Sequence, residues 1–237
     1  MALDALLLDE CCREGGAVLR FYSWEPPAVS IGRFQEAARG IDLAACRRRG
    51  LSVVRRMTGG RAVIHHREVT YSIASAWGGD FPPTGVTDLY DRIAEGLLHG
   101  LDLLGVAASK AGRHSSAPTR ASNCFKAPSR CEIVHQGRKL VGSAQVRSPA
   151  GFLQHGSILL EVDAGLWEGV FGPGAADGVA SVAGILGRPV PAAEVEAALG
   201  EGFARIAGRG WRETPLPARM DRAARLTAPR FLVDDPG

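Results

Sequence analysis

Apolar residues at Leu3, Leu6 and Leu7 follow helical spacing, and Gly15-Gly16 interrupts the pattern, so the sequence predicts a first helix that stops there. A β-rich run with Leu19, Phe21 and Trp24 comes next, and Pro26-Pro27 separates it from a short strand around Val29 and Ile31. Asp42 is placed to cap a short helix ending at Gly50. Strands are then predicted from Ser52 to Arg56 and from Arg61 to His65, joined by Thr58-Gly59-Gly60, and Val69, Tyr71 and Ile73 alternate in a further strand. Thr87 is placed as N-cap of the strongest helix, whose Leu89, Ile93, Leu97, Leu101 and Leu104 share one side up to Gly105.

Ser109 to Asn123 has no period and is rich in Ser, Ala, Arg, Gly and Pro, which predicts a loop. Two hairpins follow it, one turning at Gln136-Gly137 and one running from Leu140-Val146 through Ser148-Pro149-Ala150-Gly151 into Phe152-Leu160. Alternation along Lys139 to Gln145 would set Lys139, Val141, Ser143 and Gln145 on one face and Leu140, Gly142 and Ala144 on the other. Past Val162 the chain turns to Ala, Gly and Pro, with one further helix suggested by Val195, Leu199, Phe203 and Ile206. These patterns divide one main domain into a core over 1–162, a C-terminal helical part over 163–228 and a loose tail over 229–237.

With 237 residues, 46% of them hydrophobic and 22% charged, the chain can bury a real core. A net charge of +3 with scattered basic residues is too little for a nucleic-acid footprint, although a modest positive surface suits an acidic protein partner. Five cysteines without a Cys-x-x-Cys pattern argue against a disulfide framework and a zinc site and for a reducing compartment. Asp4 and Asp9 interrupt the apolar N-terminal run, so neither a signal peptide nor a membrane span is expected, and the setting is taken as cytoplasmic.

The residues with chemical potential cluster between Asn123 and Ser157. Cys124 is either a small buried hydrophobe or a nucleophile, and an ammonium such as that of Lys139 would favour its thiolate. Lys139 is in turn either a solvated hairpin lysine or part of that site, where the small residues Gly142, Ser143 and Ala144, followed by Gln145, let a ligand lie close to the backbone. His155, before Gly156, is a hydrogen-bonding core residue or a base. Upstream, Arg55-Arg56-Met57-Thr58-Gly59-Gly60-Arg61 puts guanidiniums and glycines at a turn whose N–H groups can bind a carbonyl or phosphate, with His65 just beyond. Adjacent His65 and His66 lack the spacing of a helical metal site.

Four ordered segments carry a resemblance: Arg55 to His65, Glu68-Val69-Thr70-Tyr71-Ser72, Gly137 to Gln145, and Gln154-His155-Gly156-Ser157. Together they resemble the biotin/lipoate protein ligase and lipoyl(octanoyl)transferase superfamily over about two thirds of the chain, which implies an α+β catalytic domain on a mixed, mainly antiparallel β-sheet flanked by helices. Arg61, where ligases typically carry a third glycine, and Cys124, which ligases lack, make the chain most similar to the cysteine-dependent octanoyltransferases. Such enzymes typically have a strand before the Met-Ala-Leu-Asp helix, at which this sequence opens, and Ala5, Met57 and His66 stand where an acidic residue, proline and aspartate are frequent.

The resemblance implies a transfer of octanoyl from octanoyl-acyl carrier protein to Cys124 and then to a lysine of a lipoyl domain or the glycine-cleavage H protein. Lys139 would serve the thiol and the acyl carbonyl, while Arg56, Thr58, Gly59, Gly60, Arg61, His65, Gly142, Ser143, Ala144, Gln145, His155 and Gly156 would shape the acyl pocket. It implies a monomer with no cofactor and no metal. The alternatives are an ATP-dependent lipoate-protein ligase, which would need ATP and Mg, and a non-catalytic ligand-binding or partner subunit on the same scaffold.

Overall fold

A computed structural model describes residues 1–37, 39–112 and 132–233. In chain order the elements are α1 (Ala2–Glu14), β1 (Ala17–Tyr22), β2 (Ala28–Ile31), α2 (Leu43–Arg48), β3 (Ser52–Arg55), β4 (Val63–His65), β5 (Glu68–Ala76), α3 (Val86–Leu103), β6 (Ser109–Lys110), β7 (Ile133–His135), β8 (Arg138–Arg147), β9 (Gly151–Leu159), α4 (Ala164–Phe171), α5 (Val182–Leu186), α6 (Ala192–Ala207) and α7 (Ala218–Thr227). The main sheet has six strands in the order β1-β5-β9-β8-β7-β6, every neighbouring pair antiparallel. A small sheet has the order β3-β2-β4, with β2 parallel to β3 and antiparallel to β4. The architecture is α+β with a mixed, mainly antiparallel set of strands, as the sequence predicts.

The register explains why β5 and β9 are buried along almost their whole length. One face of the main sheet presents Val69, Tyr71 and Ile73 from β5 and Phe152 and Ile158 from β9 to Leu89, Ile93, Leu97 and Leu101 of α3 and Leu199 and Phe203 of α6. The opposite face carries Thr70, Ser72, His155 and Ser157, all buried as well, because α1 and the small sheet cover it. Alternation along these strands therefore separates an apolar interior from one that is polar in its middle and packs Ala74 and Leu153 on α1, not inside from outside.

Helices α3 and α6 meet through glycines. A Cβ at Gly202 would lie 2.1 Å from the Gly96 carbonyl oxygen, and one at Gly100 would lie 2.8 Å from that of Ala198. The long helix starts at Val86 with Gly85 as its N-cap and no side-chain cap, so Thr87 lies inside it and does not cap it as the sequence suggested. Asp42, by contrast, caps α2, its side chain accepting from Ala45 N at 2.7 Å.

Short elements of the last third were invisible to periodicity. Helix α7 packs Met220 against Leu7, Leu8 and Cys11 of α1, and Arg219 pairs with Glu10 at 3.0 Å. Within the stretch taken from sequence as a tail, Ala228–Phe231 form a 3-10 turn, Leu232 bridges to Val54, and Val233 N donates to Val53 O at 2.9 Å.

The glycine contact between α3 and α6 is testable. Gly202→Ala is expected to lower stability by about 1–3 kcal/mol through overpacking, while Gly200→Ala two residues away, where a Cβ meets nothing within 4 Å, is neutral or slightly stabilising. Thermal or urea unfolding of both variants checks the contrast.

Candidate active site

Between the polar face of the main sheet and the small sheet lies a cavity of about 260 Å³. All of the substrate-binding residues chosen from the sequence line it except Thr58, and Lys139 lines it too. Cys124 lies outside the described residues.

The glycine loop forms one wall, and Arg56 holds it. That guanidinium is only 4% exposed and donates through Nη1 to Ser30 O and Oγ (2.9 and 2.8 Å) and through Nη2 to the carbonyls of Gly59 and Arg61 (2.9 and 3.0 Å). It shapes the loop by bonding its main chain. Gly60 has a left-handed φ of 91°, and its carbonyl sits so close to Gly32 that a Cβ there would lie 1.9 Å from the oxygen. Gly32, which no sequence pattern marked, is thus as necessary to the loop as Gly60.

His65 belongs to a second buried network. Its Nε2 is 2.6 Å from Ser30 Oγ, its Nδ1 is 2.7 Å from Glu68 Oε1, and its ring stacks on Trp24 with centroids 4.2 Å apart. Glu68 also accepts from the hydroxyls of Thr70 and Ser157. A buried carboxylate held in this way stays satisfied without water.

His155 joins the loop to α1. Its Nε2 is 2.8 Å from Thr58 Oγ1, which connects Thr58 to the cavity from behind its wall. Its Nδ1 lies 3.7 Å from Asp4 Oδ2, beyond hydrogen-bond distance but within reach of the charge. Asp4 accepts from Arg20 (2.6 Å), Tyr22 (2.9 Å) and Ser72 (3.0 Å). Burial pushes the Asp4 carboxyl up, but the His155 ring and the Arg20 guanidinium more than reverse this and hold it well below the usual carboxylate range. Burial holds His155 below its ordinary value against the pull of Asp4, so the imidazole is favoured as the neutral form.

On β8 the expected alternation fails. The pairing with β7 shifts register between Ile133 and Val134, so that Leu140 is the extra residue, and Leu140 and Val141 both enter the main apolar cluster. Lys139 is accordingly buried and not a solvated hairpin residue, and its Nζ donates to Glu132 Oε1. Its main chain is held by Gly178 O (2.8 Å) and Ala180 N (2.9 Å). Gly142 and Ala144 face the cavity beside Ser157 and His155, their register partners, whereas Ser143 turns to Tyr71, whose hydroxyl is 2.7 Å away. Gly156 is glycine for a packing reason, since a Cβ would lie 2.5 Å from the Tyr71 ring.

Cys11 and Cys46 are buried, and burial pushes both thiols up to about 11, which leaves them poor nucleophiles at neutral pH. Among the described residues no group of three His, Cys, Asp or Glu side chains could hold a metal ion, and no helix is long and apolar enough to cross a membrane. Sequence reasoning passed over Asp4, Ser30, Gly32 and Glu132 as site residues. Asp4 had a visible signal, a carboxylate on the apolar side of a helix; the others had none stronger than their neighbours.

The arrangement is a mostly apolar slot with an ammonium at one wall and a fixed, hydrogen-bonded loop at the other, suited to holding an acyl chain and polarising its carbonyl. The lipoyl protein ligase A/B catalytic domain matches residues 1–204. The octanoyltransferase LipM of Kyrpidia tusciae is 39% identical over 255 residues, covering 99% of this chain and 92% of that protein. The octanoyltransferase LipM of Geobacillus kaustophilus is 44% identical over 172 residues, 69% of this chain and 61% of that protein. Among solved structures, lipoate-protein ligase A bound with ATP superposes with a TM-score of 0.77 at 24% identity, covering 96% of this chain and 89% of that one.

Acidification is expected to cost stability through the buried imidazole. His155 is lowered from 6.5, so its contribution to stability is fully present above about pH 6.5 and is lost as pH falls through that value toward its folded one; Asp4, also lowered, adds a loss only below about pH 4. Melting temperature between about pH 7 and about pH 5 is expected to fall more steeply for the wild type than for His155→Gln.

Proposed function

We propose that this chain, which belongs to the lipoyl protein ligase A/B catalytic-domain family, is an octanoyltransferase acting through a Cys124 thioester. The observation that carries the reading is its 39% identity to a protein of that activity across 99% of its length. The buried ammonium of Lys139 on the wall of an apolar slot supports it.

In the first step the Cys124 thiolate attacks the thioester carbonyl of octanoyl-acyl carrier protein. A new carbon–sulfur bond forms to the enzyme, and the carrier's sulfur leaves as a thiolate that takes a proton from solvent. In the second, the ε-amine of a lysine on a lipoyl domain or glycine-cleavage H protein attacks the enzyme thioester; a carbon–nitrogen bond forms, the thiolate of Cys124 returns, and the amine's proton passes to solvent. Both steps put negative charge on the acyl oxygen, and Lys139 is the donor proposed to meet it. The acyl group stays activated throughout, so no ATP, metal or other cofactor is required, and a reducing, cytoplasmic setting keeps the thiol available. The apolar walls hold the alkyl chain while the Arg56-braced loop and His155 fix the slot's width.

The test is acylation without nucleotide. Wild type incubated with octanoyl-acyl carrier protein is expected to gain one octanoyl group by intact mass, Cys124→Ala to gain none, and Lys139→Met to acylate about a hundredfold more slowly. An ATP-dependent ligase would instead show lipoate-dependent pyrophosphate exchange and no adduct from the carrier.

A further inference from the structure

We propose that Glu132 is a positioning residue for acyl transfer: its carboxylate holds Lys139 as a fixed ammonium on the cavity wall, so that Lys139 stabilises charge on the acyl oxygen without exchanging its own proton. The inference rests on the role of Lys139 given above.

Both side chains are buried, at 0% exposure for Lys139 and 8% for Glu132, and the ammonium donates directly to Glu132 Oε1. Both residues are also anchored by main chain. Glu132 O accepts from Ala111 N at 2.8 Å, while Lys139 is bonded to Gly178 and Ala180. The bulge at Leu140 is what places Lys139 at the slot beside Glu132, where strict alternation would have set it with Val141 in the apolar core.

Charge makes the pairing consequential. Among the described residues that line the cavity, Glu132 alone is acidic, whereas Arg56 and Arg61 are cationic. His65, His155, Tyr90 and the α-amino group of Met1, 3.8 Å from Asp4 Oδ2, are the other ionisable groups of the residues lining the cavity, and Asp177 immediately precedes the segment paired with Lys139. His65 is committed to Ser30 and Glu68, and His155 to Thr58. An ammonium withdrawn from water beside other cations is driven toward the neutral amine, which is a weaker donor to a developing oxyanion. A carboxylate in contact reverses that preference and fixes the direction of the Nζ–H bonds.

The experiment uses the full chain and its small number of lysines, Lys110, Lys126 and Lys139. In protein labelled at lysine, the Lys139 side-chain NMR signal is assigned by its loss in Lys139→Met. At neutral pH it is expected to show, in wild type, the slowly exchanging Nζ–H signature of a buried ammonium bonded to a carboxylate, and to lose that signature in Glu132→Gln. Octanoyl-enzyme formation by Glu132→Gln is expected to be at least about tenfold slower than wild type. Glu132→Asp, which keeps the charge one methylene back, is expected to show the wild-type signal and an intermediate rate.

A wild-type Lys139 Nζ–H signal that exchanges as freely as that of an exposed lysine, or a Glu132→Gln protein with signal unchanged and rate within about twofold of wild type, overturns the proposal. Should Glu132→Gln not fold, the wild-type signal and the Asp variant decide. A wild type that forms no octanoyl adduct would remove the functional reading above, while the Lys139 signal would still judge the Glu132–Lys139 pairing.

Discussion

Burial of a polar sheet face is the constraint around which this molecule is built. Thr70, Ser72, His155 and Ser157 point away from the apolar core and yet are each 4% exposed or less. Hydroxyls and imidazoles withdrawn from water must find partners or cost on the order of 1–3 kcal/mol each. The covering elements therefore have to arrive with complementary groups. Asp4 of α1 accepts from Ser72, Thr58 meets His155, and Glu68 accepts from Thr70 and Ser157. The relative placement of α1, the small sheet and the main sheet follows from these bonds as much as from apolar packing. The cavity is the part of the interface where β8 offers Gly142 and Ala144, side chains too small to fill it.

The same requirement distributes charge. Three carboxylates at or near the slot, Asp4, Glu68 and Glu132, are each engaged by donors from other segments: Arg20 and Tyr22, His65, and Lys139 respectively. Leaving any one unpaired would be far more damaging than replacing the pair, because an uncompensated buried charge has no water to turn to. Arg56 is treated likewise, bridging Ser30 to the carbonyls of the glycine loop. The result is a site whose dipoles are fixed before any ligand enters, the condition under which hydrogen-bond donors are most effective on a developing charge.

Much of the frame was legible because it rests on local rules. The 3.6-residue period of Leu89 to Leu101, the alternation of Val69, Tyr71 and Ile73 and the turn at Ser148 to Gly151 each depend on neighbours in sequence, and each element formed where expected. The four motifs likewise supply many of the residues that line the cavity, from Arg56 to Gly156. What could not be seen depends on distant partners. Gly32 matters because of Gly60, Asp4 because of His155 and Arg20, and Glu132 because of a register shift that brings Lys139 to it. The Thr87 misplacement has the opposite cause: a good capping residue stood nearby, but the helix starts two residues earlier than that cap implies, at Val86 with Gly85 as its N-cap.

A fold shared with an ATP-bound ligase sets the scaffold but not the chemistry, so the distinction has to lie in particular residues. An acid ligase must hold a triphosphate and activate a free carboxylate, which calls for cationic side chains and open N–H groups aimed at phosphate. Here the Arg56 guanidinium is turned inward onto Ser30 and onto the carbonyls of Gly59 and Arg61, where it stiffens the glycine loop. A thioester exchange asks less of its site, because the acyl group arrives activated and leaves for an amine downhill in energy. It needs an apolar slot for the chain and a fixed donor for the carbonyl oxygen, and under the function proposed above these would be the cavity lined by Gly142 and Ala144 and the Lys139 side chain on its wall.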